Sequence, residues 1–78
     1  MQSEPLKLLS HAINSKILVK LKNGQEYRGI LKRCDNSMNL VLAEAEEVNN
    51  TGSITRYGKI FIRGSSILYI KIENKTIL

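Results

Sequence analysis

The chain has 78 residues, which is room for one domain. A chain this short buries only roughly 60% of the surface its unfolded form exposes, so a metal, a disulfide or self-association would help it. Its single cysteine, Cys34, excludes an internal disulfide, and a net charge of +5 favours an anionic partner.

No apolar run approaches the ~20 residues of a membrane span. The opening MQSEPLKLLSHAI carries an acid and a proline where a signal peptide carries basic residues. A soluble, cytoplasmic protein is expected.

Ser3-Glu4-Pro5 reads as a helix start, with a capping hydroxyl followed by an acid and a proline in the first turn. Leu6, Leu9 and Ile13, with Ala12 beside them, form one apolar stripe, and Asn14-Ser15 ends it. The expected helix covers about 3–14 and lies over an open end of a β core.

From Lys16 the apolar period becomes two. Ile17, Val19 and Leu21 alternate with Leu18, Lys20 and Lys22, as in a half-buried strand. Asn23-Gly24 signals a hairpin through a type I′ turn. The next strand runs over about 25–34, and Gly29 in its middle permits a sharp bend. After a polar loop, Met38, Leu40 and Leu42 alternate with Asn39, Val41 and Ala43. Glu44, Glu46 and Glu47 then make the strand end acidic, and 49–53 is a polar turn. Residues 54–72 read as a closing hairpin that turns at Arg63-Gly64-Ser65-Ser66.

Both strands of that hairpin, Ile60-Phe61-Ile62 and Ile67-Leu68-Tyr69-Ile70, are apolar on both faces. One small domain has too little material to cover them, and exposed apolar edge strands invite aggregation. Edge-to-edge pairing with neighbouring copies resolves both problems, and head-to-tail pairing closes into a ring if the rotation permits.

Catalysis finds little support. His11 is remote in sequence from Cys34 and Asp35, and no Cys-x-x-Cys, His-Glu-x-x-His or glycine-rich phosphate loop is present. The acidic run reads as a solvated strand end, so no metal and no cofactor is expected. The loop 35–39 and the turn at Arg63 carry more. Asn39 offers a donor and an acceptor suited to the edge of a base, and Asp35 can fix which way that amide points. Arg63 can stack on an unpaired base while its charge favours phosphate, and Gly64 allows a ligand close to the backbone. The plainer reading is that Asp35 and Asn39 only close a tight turn.

The spacing G-x-x-x-x-x-D-x-x-M-N-L-x-L, from Gly29 to Leu42, resembles the first motif of the Sm and Sm-like family. Ile62-Arg63-Gly64-Ser65, followed by Ile67, resembles the second. The short intervening loop is most similar to archaeal Sm-like proteins. The resemblance implies a mainly β fold, with an N-terminal helix and a strongly bent five-stranded small barrel. One Sm-like domain would span 1–78, with the first motif over about 16–48 and the second over about 55–73.

It further implies a homo-oligomeric ring, usually of seven copies, built by pairing the fourth strand of one with the fifth of the next. Such rings bind single-stranded, uridine-rich RNA near the pore, one base per subunit. Carried over, Asn39 would hydrogen-bond the uracil edge, Arg63 would stack on it, Asp35 would support Asn39, and Gly64 and Ser65 would line the pocket beside Met38. Two positions depart from the pattern. Ser37 stands where histidine or an aromatic often completes the base sandwich, and Ser65 stands where Asp or Asn is common. The expected function is an RNA chaperone or ribonucleoprotein core component. The alternative is an oligomeric protein-interaction scaffold with weak RNA binding.

Overall fold

The computed structural model describes residues 4–72 and 75–77, so the expected Ser3 cap lies outside the described residues. Helix α1, Glu4–His11, forms where Leu6, Leu9 and Ala12 recur at a spacing of three and so share one face. All three are buried. Helical pairing ends at His11 rather than at residue 14. Ala12 N–H donates to the Leu9 carbonyl at 2.9 Å, and Asn14 takes φ 71, the left-handed conformation that closes many helices. This turn rotates Ile13 out to the surface, at 37% exposure, so it does not belong to the buried stripe. Asn14 N–H then donates to the Leu31 carbonyl at 2.7 Å, and Leu31 N–H to the Ser15 carbonyl at 2.9 Å. Those two bonds tie the helix exit to the sheet.

The strands are β1 (Lys16–Leu21), β2 (Glu26–Cys34), β3 (Leu40–Val48), β4 (Ile54–Arg56), β5 (Ile60–Ile62), β6 (Ile67–Ile72) and β7 (Lys75–Thr76). All pair antiparallel, in the order β4-β3-β2-β1-β6-β7, with β5 also on β3. In β1 the expected alternation holds, and Ile17, Val19 and Leu21 face the core. The β1–β2 turn differs from a type I′ turn. Only Gly24 has positive φ, at 96, and Leu21 N–H donates to the Gln25 carbonyl at 2.8 Å across three loop residues. Three-residue loops of this kind place one glycine in the left-handed region.

Gly29 marks the bend of the sheet. A Cβ there would stand 2.9 Å from the Ala43 carbonyl oxygen and 3.2 Å from the Ala45 Cα. The register skips between Arg28 and Ile30, and Glu44 opposite takes φ 50, which is the geometry of a bulge that coils the strands. Around this bend Leu9, Val19, Leu31, Leu40, Leu42 and Ile70 are fully buried.

The expected 54–72 hairpin does not form. Residues 54–62 pair with β3 in two pieces, interrupted where Gly58 has φ 94. Tyr57 N–H donates to the Ala45 carbonyl and Ala45 N–H to the Gly58 carbonyl, both at 2.8 Å, so the interrupted segment stays attached. After a 3₁₀ turn at Gly64–Ser66 the chain crosses to β1, and β6 pairs with β1 instead of β5. The five expected strands thus occupy a bent sheet of seven segments, curled into a partly closed barrel. Alternation reports which face of a strand is apolar, not which edge it will find.

Candidate functional site

The loop 35–39 between β2 and β3 is organised by one carboxylate. Asp35 Oδ1 accepts from the Ser37 and Asn39 backbone N–H groups, both at 2.9 Å, and Asp35 Oδ2 accepts from Asn39 Nδ2 at 2.9 Å. Met38 N–H donates to the Asp35 carbonyl at 2.9 Å, and Met38 takes φ 64. The Asn39 side-chain bond, then its backbone bond, hold the Asp35 carboxyl below the usual carboxylate range.

A second loop locks onto this one. Gly64 N–H donates to Asn39 Oδ1 at 2.8 Å, joining segments 25 residues apart. The approach is so close that a Cβ on Gly64 would meet the Ser37 carbonyl oxygen, and would lie 2.9 Å from Met38 C and 3.0 Å from Met38 O. Gly64 is therefore required by the contact of the two loops. The Asn39 amide is held in one sense, its oxygen toward Gly64 and its nitrogen toward Asp35. Each atom retains one further bonding position, so the fixed amide still offers one acceptor and one donor to a ligand.

The structure brings Asp35, Ser37, Met38, Asn39 and Gly64 into contact. Ser37, Arg63 and Ser65 are exposed beside that cluster, Asn39 is half-buried, and Met38 packs partly against the core. Arg63 makes no ion pair among the described residues. It borders a groove of about 460 Å³ that is also lined by Tyr27, Tyr57 and Phe61.

Sequence reasoning gave this groove no weight, although three of the four aromatic residues meet in it. The Tyr27 and Tyr57 rings lie tilted with centroids 6.3 Å apart, and Tyr57 O–H donates to Glu47 Oε1 at 2.9 Å. Burial raises the Tyr27 phenol pKa, and the bond to Glu47 raises that of Tyr57. The signal available in advance was Tyr27 sharing its strand face with Gly29 and Leu31.

The acidic run is largely engaged. Glu46 stands in one cross-strand row between Arg28, at 3.8 Å, and Arg56, at 3.3 Å, while Glu47 also accepts from Gln25. Burial, followed by the Asp35 charge, pushes the Cys34 thiol up and keeps it protonated, a poor nucleophile. Among the described residues no helix is long and apolar enough to cross a membrane.

A helix laid on a bent antiparallel sheet, with an asparagine loop stapled to an Arg-Gly turn, defines a small barrel of the Sm architecture. The model of the LSM domain matches residues 7–72, and the chain belongs to this family of non-enzymatic RNA-binding proteins. The LSM complex subunit lsm6 of Schizosaccharomyces pombe is 41% identical over 70 residues, covering 90% of this chain and 93% of that protein. The Sm protein of Pyrococcus abyssii, solved in complex with a uridine heptamer, is 40% identical with a TM-score of 0.83, over 90% of this chain and 99% of that one. The P. aerophilum SmAP1 heptamer is 36% identical with a TM-score of 0.81, over 85% of this chain and 88% of that one.

Proposed function

We propose that this protein assembles into a ring in the cytoplasm and binds single-stranded, uridine-rich RNA, one base at the paired loops of each copy. In this role it serves as an RNA chaperone or ribonucleoprotein core. The observation that carries the reading is the Asn39 amide fixed between Asp35 and Gly64. Uracil presents an N–H donor beside a carbonyl acceptor, which one acceptor and one donor of a fixed amide can match. Cytosine presents the reverse order on the same two atoms, and an amide that cannot turn cannot follow it. Arg63 stacks its guanidinium plane on the base while its charge faces phosphate. Ser65 adds a hydroxyl at the rim of the pocket.

Ring assembly is supported by exposed apolar side chains on β5 and β6. Phe61 on β5 is 65% exposed and Leu68 on β6 is 54% exposed, while Ile62, Ile67 and Ile70 beside them are buried. Native mass spectrometry at micromolar concentration should give one cyclic oligomer that takes up oligo-uridine more readily than oligo-cytidine. Arg63→Ala should weaken binding to every sequence. A ring that binds both oligomers equally weakly would instead favour the protein-interaction scaffold.

A further inference from the structure

Backbone groups of a strand alternate between its two edges, so each edge of β6 is a separate docking surface. The inner edge is taken by β1, in register from Ile17 opposite Ile72 to Lys20 opposite Tyr69; the register then shifts, so that Leu21 faces Ile67 and Leu68 is the extra residue of a bulge. Over the regular stretch the outer edge carries the groups of Ile70 and Ile72, because the Ile70 carbonyl points that way and accepts from Ile77 N–H at 2.9 Å. The short strand β7 lies along this outer edge, with Thr76 opposite Lys71 and Lys75 opposite Ile72. The Ile70 carbonyl and Ile72 are thus covered from within the chain, and the regular stretch of the outer edge is occupied.

A second copy approaching through its own β5 offers the three-residue edge Ile60–Ile62. With β7 in place it finds the regular outer edge of β6 occupied; with β7 displaced it finds that edge open. We infer that β7 and the β5 of a neighbouring copy compete for the outer edge of β6, so that the C-terminal strand sets the concentration at which copies assemble. The inference rests on the ring reading above.

The exchange is nearly balanced in hydrogen bonds, since each backbone bond lost to β7 is replaced by one to β5. Side chains then decide it. Ile77 leaves its place against the core, and Phe61, 65% exposed in the single chain, gains cover. Two-residue β7, paired on one side only, is the weaker ligand of this edge. In the isolated chain it still does what covered edges do, blocking indiscriminate strand pairing.

The test is a dilution series by sedimentation velocity on the full chain, on a chain ending at Ile72, and on Ile77→Pro, which removes the N–H donor at unchanged length. Competition predicts that both variants assemble at a lower concentration, by roughly three- to tenfold, the equivalent of one or two backbone hydrogen bonds. Assembly of all three at one midpoint, or of the variants at a higher one, overturns the competition and leaves the ring intact. Monomers at every concentration in all three overturn the ring reading and the competition together.

Discussion

The loops 35–39 and 49–53 are near twins in composition, each five residues long, polar and built around asparagine. Both close by the same devices. In the second, Asn49 N–H donates to the Ser53 carbonyl at 2.8 Å, Gly52 N–H to the Asn49 carbonyl at 2.9 Å, and Asn49 Nδ2 to Ser53 Oγ at 2.9 Å. The difference is reach. The first loop extends one bond to Gly64, 25 residues away, whereas the side-chain bonds of the second end at Thr55. A loop that satisfies only itself is a turn. A loop that shares its amide with another segment acquires a fixed donor and acceptor, which base recognition needs.

The largest effect should come from adding one methyl group to each region. Gly64→Ala drives a Cβ into the Ser37 carbonyl, so the loops must part and the Gly64–Asn39 bond is lost. Overpacking of this kind costs about 1–3 kcal/mol, and the lost bond about 1 more. Gly52→Ala has open space around it but keeps φ 86, a strain of about 1 kcal/mol. Urea unfolding should therefore show a clearly lower midpoint for Gly64→Ala, and only that variant should also lose oligo-uridine binding. Equal midpoints would mean that the two loops are not coupled.

Next in size is the pair Asn39→Ala and Asn49→Ala. Truncating Asn39 removes the fixed donor and acceptor, so preference for oligo-uridine over oligo-cytidine should fall by about tenfold, the equivalent of ~1.4 kcal/mol. Asn49→Ala should leave that ratio unchanged, because its bonds stay within residues 49–55. Competition binding with labelled oligomers measures both. Equal ratios in the two variants would reduce Asn39 to a turn residue.

The same contrast explains what was legible in the sequence. Ile17, Val19 and Leu21 announced β1 because burial on one face imposes a period of two, and Gly29 announced the bend because a barrel corner leaves no room for a Cβ. Asp35 and Asn39 were recognisable as partners because their bonds are local. The Gly64–Asn39 tie was not, since a contact across 25 residues has no local spacing. The crossing of β6 to β1, the break at Gly58 and the return of β7 were hidden for the same reason. Each depends on which edge a strand finds, and the Ile67–Ile72 pattern would look alike beside β5 or β1.

A smaller gain should follow from Ser37→His. Ser37 is exposed on the loop 35–39, and serine offers no π surface to a base. Base stacking contributes ~1–3 kcal/mol by truncation, and a ring added to an exposed loop should reach only the lower part of that range. Oligo-uridine affinity should rise several-fold. Phosphate contacts set the salt dependence, about 0.7 per phosphate neutralised on a single strand, and these are untouched, so the slope against log salt should stay the same. A changed slope would show that the new imidazole acts as a charge rather than as a stacking face.

The smallest effect is an absence of change over the physiological range. Asp35 has its folded pKa lowered, chiefly by Asn39, below an unfolded value of about 3.9. A lowered carboxylate contributes its stabilisation above the unfolded value and loses it as the pH falls through the folded one. Uridine preference should therefore be flat from about pH 5 to pH 8 and decline only in stronger acid, below about 3.9. The amide resonances of Ser37 and Asn39, which donate to the Asp35 carboxylate, should titrate together in that acid range. The Gly52 amide should not move, since residues 49–53 contain no titratable side chain. Asp35→Asn should abolish the shared titration of Ser37 and Asn39. A Ser37 or Asn39 resonance that still titrates in that variant would mean that another group, and not this carboxylate, holds the loop.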